Sequence, residues 1–363
     1  MKIVEQRPEI PDFGKKCRLY RESTVYFDIE TTGLNARRSH LYLLGVMWQE
    51  KGTVCLRQWF AERPSDEEMI LREFLQFISS FSSLVHFNGT TFDLPYLCSK
   101  ASFYGLDTAF LKSMPAIDLY QLYRPLKSVL SAEDMKLARL QALCGYSRRD
   151  HHTGKELISV YDAFLQTRDS EAQSILEQHN YDDIAGMLWT EQLDSLLELK
   201  RETIAPSKIT TIMSQDQSML EILCQFSEYL VSLPQSVTFQ GITLNIADQS
   251  LRILVPVVYG EYYYYHSDWK NYYYLPEEDR AVHKSVGIYV EPSARKKATA
   301  DTCYTRKTGT FIPEFAPVLT PALQEHPRRA DAYYYEITEQ FFNDAKALSD
   351  YAVHILSYIL KHI

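Results

Sequence analysis

The stretch Val25-Tyr26-Phe27-Asp28-Ile29-Glu30-Thr31-Thr32-Gly33-Leu34 decides how the first half of this chain is read. An apolar run carrying two acids one residue apart predicts a buried strand with carboxylates at its far end. Side chains at i and i+2 of a strand share a face, so Asp28 and Glu30 are expected side by side. Two neighbouring carboxylates without a cation oppose each other's ionisation, and a divalent metal between them resolves the conflict. A strand that ends in a solvated turn, closed by Thr31-Thr32-Gly33, fits the same letters. The stretch alone leaves both readings open.

Working outward, the pattern predicts strands at Thr24–Ile29, Leu41–Trp48 and Thr53–Phe60, with turns at Thr32-Gly33 and Glu50-Lys51-Gly52. Ser65-Asp66-Glu67-Glu68 reads as a capping box. The helix after it carries Leu71, Phe74, Leu75 and Ile78 at helical spacing. Ser83–Asn88 reads as a strand, Phe92–Tyr104 as a helix, Ala116–Leu119 as a fifth strand, and Lys136 to Arg201 as mostly helix. Strands followed by alternating helices and strands predict an α/β class with a mixed five-stranded sheet flanked by helices. The character shifts near Glu202-Thr203-Ile204-Ala205-Pro206-Ser207. We therefore expect two domains, 1–202 and 203–363. The second is read as an α+β region with a helix over Met219–Leu233 and a final helix from Ala330 to Ile363.

Two further motifs carry acids. In His86-Phe87-Asn88-Gly89-Thr90-Thr91-Phe92-Asp93 a strand ends in a glycine turn and Asp93 opens a helix. There the free N–H groups favour an acid whether or not it has a function. In His179-Asn180-Tyr181-Asp182-Asp183-Ile184, His179 and Asp183 are i and i+4 on one helix face. Asp182 is expected to point to solvent.

Together, Asp28-x-Glu30, Phe92-Asp93 and His179-x-x-x-Asp183 resemble the DEDD (DnaQ-like) 3′–5′ exonuclease superfamily of the ribonuclease-H fold. Within it the chain is most similar to the YprB-type ribonuclease-H-like group. The resemblance spans 20–200 and includes Leu41-Tyr42-Leu43-Leu44-Gly45-Val46 and Lys136-Leu137-Ala138-Arg139-Leu140-Gln141-Ala142-Leu143-Cys144-Gly145. It implies metal ligation by Asp28, Glu30, Asp93 and Asp183, with Asp28 bridging two Mg2+ or Mn2+ ions. Hard oxygen donors suit such ions, which sit about 4 Å apart in two-metal sites. The implied reaction is hydrolysis of phosphodiester bonds at single-stranded DNA or RNA ends. Family members place a histidine five residues before the last aspartate, or a tyrosine four before it. Here His179 stands at the tyrosine spacing, and we assign it as base or water-orienting residue. Leu34 and Phe92 stand where relatives wedge or stack terminal bases; plain packing is the other reading of both. Asn88 is assigned to the strand end or the substrate backbone, and Asp118 to a helix cap or a supporting acid. A catalytically inactive nucleic-acid-binding or scaffold protein, or a structure-selective endonuclease, would share this fold.

Composition narrows the alternatives. The net charge of −9 argues against a general nucleic-acid coat but leaves room for a cleft that concentrates cations. Six cysteines without a CxxC pair argue against zinc and disulfide frameworks, and with a charged N-terminus they predict a reduced, cytoplasmic protein. No run is long and apolar enough for a membrane span, so no membrane partner is expected. Serine-nucleophile, Walker and Rossmann patterns are absent. After residue 203 the one feature with chemical content is a basic stretch of Lys284, Arg295, Lys296, Lys297, Arg306 and Lys307 interleaved with Tyr289 and Tyr304. It reads as a solvated loop or as a track for single-stranded nucleic acid.

Overall fold

The computed structural model describes the chain except residues 9–20, 131, 202–204, 217, 228–229, 233–235, 248, 326–331 and 363. The described chain divides into two compact units, Met1–Leu197 and Glu198–Ile363. The boundary expected at 202/203 falls on residues outside those described.

The first unit begins with β1 (Lys2–Gln6), β2 (Thr24–Thr31), β3 (Leu41–Glu50) and β4 (Thr53–Phe60). There follow α1 (Glu67–Ile78), β5 (Ser83–His86), α2 (Asp93–Phe103), α3 (Ala109–Ser113), β6 (Ala116–Asp118) and α4 (Leu119–Tyr123). It closes with α5 (Leu137–Leu143), α6 (Gly154–Thr167), α7 (Ser170–Thr190) and the start of α8 (Asp194–Lys200). The sheet order is β1-β4-β3-β2-β5-β6. β1–β4, β4–β3 and β3–β2 are antiparallel, while β2–β5 and β5–β6 are parallel. This is the expected ribonuclease-H-like mixed sheet with helices, enlarged from five strands to six. The added strand is β1, whose mostly exposed residues form an edge with no periodic signal of burial.

β2 and β3 are apolar on both faces because helices cover both sides of the sheet. Val25, Tyr26, Phe27, Leu43, Leu44 and Val46 are fully buried. The expected capping box at Ser65 is not formed. Pro64–Asp66 is a 3-10 turn in which the Asp66 carboxylate accepts from the Arg63 N–H. Glu67 is instead fully buried, accepting from Lys100 Nζ, Tyr104 Oη and the Leu41 N–H.

Gly45 on β3 lies directly across from Asp28 on β2. A Cβ built at Gly45 would meet Asn180 Oδ1 at 2.1 Å and Ile184 Cδ1 at 2.2 Å. Glycine here lets α7 lie against the sheet at the position of Asp28, and this close approach brings the third motif to the first.

The second unit carries β7 (Lys208–Met213), β8 (Met219–Gln225), β9 (Val237–Phe239), β10 (Ile242–Ala247) and β11 (Ser250–Pro256), a sheet of order β7-β8-β11-β10-β9. The helix expected over Met219–Leu233 is therefore corrected to strand β8. Met219–Gln225 alternates half-buried and buried residues with period two on an antiparallel sheet, and pairing with β7 and β11 overrides the helical apolar spacing. β12 (Val258–Tyr265), β13 (Tyr272–Leu275), β14 (Arg280–His283), α9 (Lys284–Gly287), β15 (Lys296–Lys297), β16 (Tyr304–Glu314) and β17 (Tyr333–Glu336) form two three-stranded sheets and a short helix. α10 (Glu339–Asn343) and α11 (Ala345–His362) end the unit. The final helix thus starts at Ala345, because Tyr333–Tyr335 join β17, paired with β16.

Candidate metal centre

Three elements meet at the first motif. β2 supplies Asp28 and Glu30, the N-terminus of α2 supplies Asp93, and α7 supplies His179, Asn180 and Asp183. Glu30, His179 and Asp183 place ligand atoms within 4.8 Å of one another. His179 Nε2 lies 3.5 Å from both Glu30 Oε1 and Asp183 Oδ2. Asp28 and Asp93 belong to the same cluster electrostatically. Burial, and after it the charges of Asp183, Glu30 and Asp93, push the Asp28 carboxyl well above its usual range. Burial, then Asp183 and Asp93, does the same to Glu30, against a hydrogen bond from Tyr42 and the charge of Arg148. Burial lifts Asp93 to about 7, opposed by backbone hydrogen bonds at Asp93 and Ile29 and reinforced by Asp118 and Asp183. The structure therefore brings all four sequence-predicted carboxylates and His179 together.

The local sequence explains each placement. Asn88 takes a positive φ of 60°, and its N–H donates to Asp118 Oδ1 at 2.8 Å while the Thr90 N–H donates to Asp118 Oδ2 at 3.3 Å. Asp118 also caps α4 through the Tyr120 and Gln121 N–H groups, the cap expected of it, while its other bonds hold the turn that carries Asn88 and Thr90. A Cβ at Gly89 would meet His86 Nδ1 at 2.7 Å and Asp93 Oδ2 at 3.1 Å, which is why the turn before α2 is glycine. Asn180 is fully buried and links three elements. Gln58 Nε2 on β4 donates to Asn180 Oδ1 at 2.9 Å, and Asn180 Nδ2 donates to Asp28 Oδ2 at 2.9 Å.

Asp182 does not face solvent. It is 1% exposed and accepts from Tyr146 Oη, Gln178 Nε2 and the N–H groups of Arg149 and Asp150. This fastens the loop between α5 and α6 against α7 and delivers two residues that sequence reasoning missed. Arg148 donates to Asp183 Oδ1 and Gln141 Oε1. Asp150 Oδ2 lies 2.5 Å from His179 Nδ1. Neither residue falls in a motif or at periodic spacing from the others, so only the fold joins them. A cavity of about 300 Å³ opens on Arg148, Asp150, His151, His152, His179 and Asp183.

Among the other residues singled out, Leu34 is 85% exposed, so packing is not its role. Phe92 packs against the core with its ring 5.5 Å from that of Tyr96.

The donor set fits a hard divalent cation. Carboxylate oxygens converge from three elements, and their mutual repulsion is the kind a cation relieves. Among the described residues, the positive group pairing with a metal-site carboxylate is Arg148, on Asp183. The same repulsion acts on stability. The folded chain holds protons on Asp28, Glu30 and Asp93 to higher pH than the unfolded chain does. Their contribution is present below about pH 4, the unfolded carboxylate value, and is lost as pH rises toward about 7 for Asp93. We expect the melting temperature in chelator to fall across that window and divalent metal to remove the fall. Asp93→Asn should flatten it by about 1–2 kcal/mol, roughly 3–6 °C. Parallel pH profiles for variant and wild type would show that the repulsion is absent.

Residues 25–190 match the family model described as the RNase_H superfamily. A comparison with curated proteins finds no match. Among solved structures, the family B DNA polymerase from the hyperthermophilic archaeon Pyrobaculum calidifontis aligns at 19% identity and a TM-score of 0.39, over 49% of this chain and 25% of that one. The chain thus spans about a quarter of the polymerase's length. The ribonuclease-H-like fold rests on the family match and the observed sheet.

Proposed function

We propose that residues 1–202 form a two-metal-ion 3′–5′ exonuclease domain of the DEDD type, hydrolysing phosphodiester bonds at single-stranded DNA or RNA ends. The observation that carries this reading is the convergence of Asp28, Glu30, Asp93 and Asp183 with His179 from three separated motifs. Glu30, Asp28, Asp93 and Asp183 would hold two Mg2+ or Mn2+ ions, whose charge would make water nucleophilic and stabilise the leaving 3′ oxygen. Asn180 holds the Asp28 carboxylate in place through its amide. His179 presents Nε2 to the same space and takes the proton from the attacking water. The water oxygen bonds to phosphorus, the bond to the 3′ oxygen breaks, and that oxygen takes a proton from solvent. Leu34, exposed beside the strand end, suits an apolar wedge at a terminal base. An inactive scaffold would have no need of four mutually repelling acids. The six cysteines without a CxxC pair support a reduced, cytoplasmic setting. No helix among the described residues is long and apolar enough to cross a membrane.

The deciding experiment is a time course on 3′- and 5′-labelled DNA and RNA oligonucleotides with Mn2+ or Mg2+. Laddering from the 3′ end alone supports the proposal. Internal cuts at structural junctions would make the protein an endonuclease, and no cleavage at all would make it a scaffold.

Residues 203–363 are proposed as a C-terminal α+β domain whose basic stretch reads either as a solvated loop or as a track for single-stranded nucleic acid. Part of its basic stretch is neutralised: Arg306 pairs with Glu261 and Asp279, and Lys307 with Glu336. Lys284, Arg295, Lys296 and Lys297 make no ion pair among the described residues. The Arg295 guanidinium lies 4.6 Å over the Tyr273 ring and Lys284 Nζ 5.7 Å from it, with Lys297 directly across on β15 and Tyr289 89% exposed. Cations around aromatic rings suit phosphate binding and base stacking. Changing Arg295, Lys296 and Lys297 to alanine should weaken binding to long single strands and lower the salt slope by about 2, near 0.7 for each phosphate no longer neutralised. Cleavage of very short oligonucleotides should hold. An unchanged affinity and slope would leave the stretch as solvated surface.

A further inference from the structure

Asp150 is a buried acid that the metal-site reading does not use and that touches the histidine of that site. It is 5% exposed and sits outside all three acidic motifs, yet one of its oxygens lies 2.5 Å from the histidine that faces the site. We propose that Asp150 is a positioning residue that fixes the tautomer and the ring orientation of His179, so that the unprotonated Nε2 faces the attacking water. This rests on the nuclease reading for the identity of that water.

The argument begins with what an ionised carboxylate can do: it only accepts hydrogen bonds. Against Oδ2 of Asp150, Nδ1 of a neutral His179 must therefore carry the hydrogen, which leaves the lone pair on Nε2. Nε2 in turn lies 3.5 Å from Glu30 Oε1 and from Asp183 Oδ2, on the side where the metals would bind. Burial works to raise the Asp150 pKa, but hydrogen bonds from His152 and His179 outweigh it and keep the carboxyl below its usual range.

The placement of Asp150 is itself braced. Its N–H donates to the buried Asp182 carboxylate at 2.8 Å, as does that of Arg149. The two carboxylate oxygens are not equivalent. Oδ1 faces His152 Nδ1 at 2.5 Å, whereas Oδ2 accepts from both the His152 N–H and His179. The backbone donor makes the oxygen at the Oδ2 position obligatory. An asparagine at 150 would consequently turn its oxygen toward His179 and its amide nitrogen toward the His152 ring. In the proposed step, Nε2 takes one proton from water as the water oxygen bonds to phosphorus. The resulting imidazolium is stabilised by the Asp150 charge behind it. Carboxylates that orient a metal-ligating histidine typically matter by about 10–100-fold, and an effect of the same order is expected for one that orients a histidine base.

The test has two independent readouts on the full chain. The first is the 15N spectrum of His179 in the metal-free protein, taken at the alkaline plateau where its shifts no longer change with pH, with the signal assigned by its loss in His179→Gln. The wild type and Asp150→Asn should carry the hydrogen on Nδ1, and Asp150→Ala should shift it toward Nε2. The second is turnover of a short single-stranded oligonucleotide with Mn2+, together with Mn2+ affinity from electron paramagnetic resonance. Asp150→Ala should lose about 10–100-fold in kcat with KM and Mn2+ affinity held, and Asp150→Asn should retain more of kcat than alanine does. A purely structural role would weaken Mn2+ binding and KM together. A wild-type ring protonated on Nε2, or an Asp150→Ala enzyme with wild-type kcat, would overturn the proposal. If the wild type cleaves nothing, the nuclease reading falls and the tautomer alone decides the role of Asp150.

Discussion

Asp28→Asn is expected to abolish cleavage while the metal-free protein melts no lower than wild type, and higher if repulsion dominates. Asp28 is the acid on which burial and three neighbouring charges act together. Replacing it with a neutral isostere removes a like charge from the cluster, and with it part of the cost of ionising Glu30 and Asp93. The Asn180 amide loses its anionic acceptor, yet the new side chain still offers an oxygen at the same place. The stability change is thus small or favourable, on the order of 1 kcal/mol. Turnover should fall by roughly 10³-fold or more, since on the proposed reading any bound metal would lose a carboxylate ligand and the developing charge would go unstabilised. Calorimetry in chelator and a labelled-oligonucleotide assay measure the two effects separately. A variant that cleaves like wild type would mean that Asp28 holds no catalytic metal, and a lower melting point in chelator would mean that the four acids do not repel one another.

The second large effect is expected at a residue with no chemistry at all. Gly45→Ala places a methyl group where Asn180 Oδ1 and Ile184 Cδ1 already stand. Both neighbours are fully buried, so neither side chain has room to swing away. The strain must move α7 off β3, at about 3 kcal/mol, the upper part of the overpacking range. The displacement would carry Asn180 away from Asp28 and His179 and Asp183 away from Glu30. Urea denaturation should show the lower stability, and Mn2+ affinity should drop with it. A variant with wild-type stability and metal binding would show that α7 is not seated on the sheet at this glycine.

These two residues mark the line between what sequence alone determines and what the tertiary structure decides. The period-two placement of Asp28 and Glu30 is local geometry: in a strand they share a face whatever the rest of the chain does. The same holds for the i, i+4 pair His179 and Asp183 and for Asp93 at a helix start. The ribonuclease-H-like α/β fold is legible because an apolar run bounded by turn residues constrains a strand within a few residues. Local pattern misleads where pairing outweighs propensity. Met219–Gln225 carries apolar residues at a spacing that suits a helix, and two neighbouring strands make it β8.

Other features have no local signal to read. Asp182 adjoins Asp183 in sequence and reads as solvated, but most of the hydrogen bonds that bury it come from Tyr146, Arg149 and Asp150, more than thirty residues earlier. Gln58, Asn180 and Asp28 become one chain of hydrogen bonds only because Gly45 lets two layers touch. Asp150 reaches His179 from a loop with no motif. Covalent periodicity places side chains on a face. Which faces meet, and which buried acid then stands behind a histidine, depends on packing between segments far apart in the chain, and no short stretch of sequence carries that information.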